Sequence, residues 1–193
     1  MTQKRAFLIH GWRGRPKASF RGWLGKELTK ENFKVEIPCM PGWLNPQMQP
    51  WVDFLHKKVG TPDENCYLVG HSLGCIGILR YLESLKNKQK IGGVILVAGF
   101  TSDLGFPDLK SFFQTEINWK KIKKHCKNFV FIYSDNDYYV STHYADIFKK
   151  NLNAKLIFEK GKGHFSSREG CKDLPVALES ILKMSKEISE KIK

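Results

Sequence analysis

The chain has 193 residues, 41% of them hydrophobic, and its 32 lysines and arginines against 19 acidic residues give a formal charge of +13. That content builds one substantial core and leaves little for a second, so a single domain over 1–193 is expected. No apolar run approaches the roughly 18 residues that cross a bilayer, and the lysines are scattered over helical faces without a nucleic-acid fold signature, which reads as a solvated surface with no specific nucleic-acid partner.

In chain order, Met1 to Arg5 lead straight into an apolar strand, Ala6-Phe7-Leu8-Ile9, with no apolar leader segment before it. A helical pattern over 20–31 follows, and Phe33-Lys34-Val35-Glu36-Ile37 alternates as a second strand. Asn45-Pro46 supply a cap and a first-turn proline for a helix carrying Trp51, Phe54 and Leu55. A third strand over 66–69 feeds a helix over 72–85, with Ile76, Leu79 and Leu82 inward. Val94-Ile95-Leu96-Val97 is a continuous apolar run, as a strand covered on both faces should be. The fifth and sixth strands are Phe129-Val130-Phe131-Ile132-Tyr133 and Lys155-Leu156-Ile157-Phe158, and a last helix runs from 175 to about 192 with Val176, Leu178, Ile181 and Leu182 on one face. Strands alternating with helices predict an α/β fold with a mostly parallel sheet.

The one long excursion, 99–127, lies between the fourth and fifth strands. Its aromatics Phe112, Phe113 and Trp119 either pack on the core or, as a small cap, give a shallow site an apolar wall; Trp43, in Pro41-Gly42-Trp43-Leu44, is the candidate for a second wall.

Residues 70–74 read Gly70-His71-Ser72-Leu73-Gly74, between a strand and a helix. A serine on such a sharp turn is presented above the sheet edge, and the helix that starts there favours developing negative charge. A serine is a weak nucleophile until a histidine takes its proton and an acid orients that histidine. Downstream, Ser134-Asp135-Asn136-Asp137 follows the fifth strand, and Gly161-Lys162-Gly163-His164-Phe165 follows the sixth. Both stretches lie beyond strand C-terminal ends, where open α/β sheets place their chemistry. His164 is the preferred base: His56 and His71 precede the acid loop, while His125 and His143 fall in lysine-rich or helical segments. Asp137 is the preferred acid because Val140 follows at a suitable spacing; Asp135 is the alternative, since an aspartate after a strand also closes turns. The oxyanion needs backbone donors. The amide of Leu73 is one, and the amide of Trp12, in the His10-Gly11-Trp12 loop after the first strand, is the other. His10 is read as shaping that loop, while His71 and Arg13 are read as substrate contacts, with Arg13 or Arg15 suited to an anionic group.

These residues resemble the α/β-hydrolase superfamily and, within it, the compact retinoblastoma-binding-protein-nine-like serine hydrolases. The resemblance rests on Leu8-Ile9-His10-Gly11-Trp12, Trp23-Leu24, Trp51, Leu68 to Gly74, Ser134 to Asp137 and Gly163-His164-Phe165, in family order over nearly the whole chain. It departs at Tyr138, where proline commonly follows the acid, and at Arg13 and Arg15. The resemblance implies Ser72 as nucleophile, Asp137 as acid and His164 as base, and a minimal six-stranded α/β-hydrolase sheet in the order 2-1-3-4-5-6. It implies cleavage of a small-molecule ester, thioester or activated amide through an acyl-enzyme, with no metal or organic cofactor. Acyl transfer and action through protein binding are the alternatives that the same scaffold supports. The five cysteines are odd in number and lack metal-ligand spacing, so reduced thiols and a cytoplasmic setting are expected. Oligomeric state and any protein partner are not written in these motifs.

Overall fold

Alternation along the strands decides how the layers assemble. The computed structural model describes residues 3–191. Within it β1 (Arg5–Ile9), β2 (Lys34–Glu36), β3 (Cys66–His71), β4 (Gly93–Val97), β5 (Phe129–Tyr133) and β6 (Lys155–Phe158) form one sheet in the order β2-β1-β3-β4-β5-β6. All five pairings are parallel. Phe7, Leu68, Leu96 and Phe131 point to one face, where they join α2 (Met48–Val59), α3 (Leu73–Ser84), α4 (Trp119–His125) and α5 (His143–Leu152) in a buried cluster. Leu8, Val69, Ile95 and Ile132 point to the other face, under α1 (Phe20–Lys30) and α6 (Pro175–Lys191). The central strands are therefore apolar on both sides, as sheets with two covered faces require.

The chain leaves β1 towards β2 on one side and, through β3, towards β4 on the other. This reversal opens a crevice at the carboxyl ends of β1 and β3, where α/β sheets bind ligands. The predicted strand order is the observed one.

Local details differ from the sequence expectations. The second helix begins at Met48, after Gln47, and not at Asn45-Pro46. The Asn45 carboxamide oxygen accepts from the Gln47 side chain (2.7 Å) instead of capping a helix, and Pro50 is the first-turn proline. The 99–127 excursion forms a 3₁₀ helix, Pro107–Phe113, followed by α4. It is tied down by Arg80 of α3, which is buried and donates to the carbonyls of Phe112 (2.9 Å), Thr115 (2.5 Å) and Glu116 (3.2 Å) while pairing with Glu83 (2.8 Å).

Candidate active site

Ser72 ends the β3 turn with φ 55°, a left-handed conformation that costs a non-glycine residue about 1–3 kcal/mol. The surrounding contacts hold it there: its amide donates to Val97 (2.9 Å) and its carbonyl accepts from Cys75 (2.9 Å). A Cβ at Gly74 would lie 2.5 Å from the carbonyl oxygen of Ile9, so no larger residue lets α3 start this close to β1. A Cβ at Gly11 would lie 2.8 Å from that of Ser72, so the loop after β1 reaches the serine only because Gly11 has none.

His164 Nε2 lies 2.9 Å from Ser72 Oγ, and its Nδ1 lies 2.8 Å from Asp137 Oδ2. With Nδ1–H donated to the carboxylate, Nε2 is left to accept the hydrogen bond of the Ser72 hydroxyl. Asp137 is itself fixed, its Oδ1 accepting the amides of Tyr139 (2.9 Å) and Val140 (3.0 Å). Asp135 is engaged elsewhere: its Oδ1 accepts the Gly161 amide (2.7 Å), a bond that lowers its pKa. Ser134 Oγ likewise accepts from the Lys162 amide (3.0 Å) and Asn136 Oδ1 from the Gly163 amide (2.8 Å). Three consecutive side chains of the acid loop thus clasp three consecutive amides of the histidine loop.

Two other histidines brace the site, each with both ring nitrogens bonded away from Ser72. His71 accepts from Arg21 at Nδ1 (3.1 Å) and donates from Nε2 to the His164 carbonyl (2.8 Å). Burial, with Arg21 beside it, holds the His71 imidazole well below the usual histidine range. His10 accepts the Met40 amide at Nε2 (2.9 Å) and donates from Nδ1 to Gly11 (2.7 Å), bracing the loop of Gly11 and Trp12; burial lowers its pKa as well. Among the described residues neither the Trp12 nor the Leu73 amide has a hydrogen-bond acceptor. Leu73 opens α3, so its N–H carries the positive end of the helix.

A cleft of about 540 Å³ opens over Ser72 and His164. Its apolar wall is Phe100, Leu104, Phe106 and Leu109 from the 99–127 excursion, with Tyr138 and Tyr139 at the side of the acid loop. The predicted aromatic walls are corrected here. Phe112 is fully buried, edge-on to Trp51 at 5.3 Å, and Phe113 packs against Phe100 behind the wall. Trp43 is half exposed and lies outside the lining. Arg13 and His71 do line the cleft, but both His71 ring nitrogens are already bonded, so it braces His164 and offers substrate no free nitrogen. The sequence reading missed Arg21, Tyr139 and Arg168. Tyr139 stood two residues after Asp137 and Arg168 four after His164, neither with a periodic signal, and Arg21 is brought in from α1 by tertiary packing.

The parallel sheet, the serine elbow and the strand-exit loops together define the α/β-hydrolase fold. The chain matches the serine hydrolase family over residues 6–183, and it belongs to that family. It is 35% identical to the hydrolase YdeN of Bacillus subtilis (strain 168) over 174 residues, 90% of this chain and 92% of that protein. It is 28% identical to the serine hydrolase RBBP9 of Rattus norvegicus, covering 83% of this chain and 81% of that one. The crystal structure of the B. subtilis ydeN gene product superposes with a TM-score of 0.90 at 33% identity, covering 95% of this chain and 99% of that one. The protein is thus an enzyme of the hydrolase class. Among the described residues no helix is long and apolar enough to cross a membrane.

Proposed function

We propose that this hydrolase cleaves a small ester, thioester or activated amide, with Ser72, His164 and Asp137 acting as a catalytic triad in one domain over 1–193. The observation that carries the reading is the unbroken chain Asp137 Oδ2 to His164 Nδ1 (2.8 Å) and His164 Nε2 to Ser72 Oγ (2.9 Å). His164 takes the Ser72 proton as Oγ bonds to the substrate carbonyl carbon. The resulting oxyanion faces the amides of Leu73 and Trp12. As the tetrahedral intermediate collapses, the bond to the leaving group breaks and His164 returns the proton to it. Water then repeats the sequence on the acyl-serine, releasing the acid and restoring Ser72. Every proton moves through protein side chains, and the sequence of steps draws on no cofactor. The five cysteines are all free thiols, which supports a cytoplasmic setting.

The test is labelling with a fluorophosphonate probe beside hydrolysis of 4-nitrophenyl butyrate, comparing wild type with Ser72→Ala. Labelling and turnover both lost in the variant are expected. Turnover retained by Ser72→Ala, or a folded wild type that neither labels nor turns over, overturns the reading.

A further inference from the structure

The chain carries only six arginines among its 32 basic residues, so lysine is its ordinary surface cation. The cleft reverses that preference. Arg13, Arg15, Arg21 and Arg168 line it, and no lysine, aspartate or glutamate does. The remaining two arginines have carboxylate partners, Arg5 with Asp63 (3.6 Å) and Arg80 with Glu83 (2.8 Å). Among the described residues, none of the four cleft arginines forms a salt bridge. The acid next to Arg168, Glu169, turns inward, its Oε2 accepting the Ser166 amide (2.7 Å).

Arg21 is the sharpest case. It is 2% exposed, and its guanidinium donates to neutral groups only: the Pro16 carbonyl (3.0 Å), the Arg15 carbonyl (2.9 Å) and His71 Nδ1 (3.1 Å). A buried charge is costly unless an opposite charge meets it. Burial brings Arg21 down to about 10, which leaves it cationic at neutral pH. In the same lining, Arg13 lies over the Trp12 ring at 4.3 Å, and Arg15 and Arg168 are exposed on the loops that flank Ser72 and His164. Arginine suits this place because its planar fork meets carboxylate and phosphate oxygens in pairs, which a lysine ammonium does not. The apolar wall belongs to the cluster on the α3 face of the sheet, whereas Arg21 sits on α1, on the other face. The cleft is therefore two-sided, apolar towards one layer and cationic towards the other.

We propose that the preferred substrates of this hydrolase are anionic esters, whose carboxylate or phosphate is held by Arg13, Arg15 and Arg168, with Arg21 in the same lining, while an apolar portion lies on Phe100, Leu104, Phe106 and Leu109. The proposal rests on the hydrolase reading above.

The test compares matched esters, each rate corrected for its alkaline hydrolysis. 4-Nitrophenyl butyrate is set against mono-4-nitrophenyl succinate, which places a carboxylate on the acyl side. Phenyl butyrate is set against 4-carboxyphenyl butyrate and 4-(butyryloxy)phenyl phosphate, which place a carboxylate or a phosphate on the leaving group. In wild type, at least one anionic ester is expected to exceed its neutral partner in kcat/KM by about tenfold or more. That ratio is expected to collapse towards unity in Arg15→Gln/Arg168→Gln and to persist in Lys57→Gln/Lys88→Gln, a control with the same charge change on exposed residues outside the cleft. Which ester gains identifies carboxylate or phosphate as the ligand. Ratios near unity in wild type, or a preference that survives loss of both arginines, overturn the proposal while Ser72-dependent turnover of the neutral ester leaves the hydrolase reading standing. If no ester is turned over, the hydrolase reading fails by itself, and calorimetric titration with the succinate monoester and inorganic phosphate decides the anionic cleft. Binding lost in the double arginine variant upholds it, and no binding to wild type overturns it.

Discussion

Asp137 does two tasks with two oxygens, and they can be separated. Oδ1 holds the Tyr139 and Val140 amides, while Oδ2 faces His164. Asp137→Asn keeps the first acceptor and replaces the second by a donor, which forces the imidazole to carry its proton on the nitrogen facing Ser72. Ester turnover is expected to fall roughly a thousandfold or more with thermal stability little changed, as steady-state kinetics beside a melting curve will report. Gly74 poses the opposite kind of problem, one of space. Gly74→Ala puts a methyl 2.5 Å from the Ile9 carbonyl oxygen, against backbone that has no rotamer to yield. A destabilisation of about 2 kcal/mol or more in urea is expected, with fluorophosphonate labelling weakened in whatever remains folded.

Among the elements, the 99–127 excursion depends most on a single side chain. Arg80 ties the carbonyls of residues 112, 115 and 116 to α3, and Glu83, its partner, also accepts the Asn118 amide. Arg80→Ala strands the carbonyl of buried Phe112, releases those of exposed Thr115 and Glu116 to solvent and leaves Glu83 without its cation. About 3 kcal/mol is expected to be lost, with amide exchange accelerating first over 107–118 and the apolar wall of the cleft loosening with it. This segment is also where the sequence was hardest to read. The strands and α3 were legible because period-2 and period-3.6 patterns survive in any context, and Gly70 to Gly74 because a sharp turn admits few residues. Asp137 and His164 were legible by position, at the ends of strands. Across 106–112 no period distinguishes Phe106 and Leu109, which line the cleft, from Phe112, which packs on Trp51; the Arg80 ties decide that, and they are tertiary. The same holds for Arg21. Its partner His71 lies 50 positions away, and nothing in the helical pattern of α1 marks one polar position as a cleft floor.

At the scale of the molecule, protons and thiols report on the fold as a whole. His10 and His71 are kept neutral in the folded state, with pKa values below their unfolded value of 6.5. Their contribution to stability is complete above about pH 6.5 and is lost as the pH falls, because the unfolded chain then binds protons that the folded one refuses. Asp135 and Glu169, held below their ordinary values of 3.8 and 4.5, add a second loss at still lower pH. Melting temperature is therefore expected to drop between pH 7 and pH 5, with a shallower drop in His71→Gln. Burial raises the thiols of Cys66 and Cys126 to about 12 and also raises those of Cys75 and Cys171, whereas Cys39 is exposed. A thiol-titrating disulfide reagent is expected to modify Cys39 alone in the native protein and all five cysteines in denaturant. The clasp between residues 134–136 and 161–163 bears on where the site is expected to come apart first. Asp137 and His164 lie 27 positions apart on two loops, yet three hydrogen bonds weld those loops into one plate, while Ser72 sits on the turn between β3 and α3. The plate meets the β3 turn through His71 Nε2 to the His164 carbonyl (2.8 Å) and His164 Nε2 to Ser72 Oγ (2.9 Å), so ester turnover is expected to fall at lower urea than intrinsic fluorescence changes, and to return on dilution.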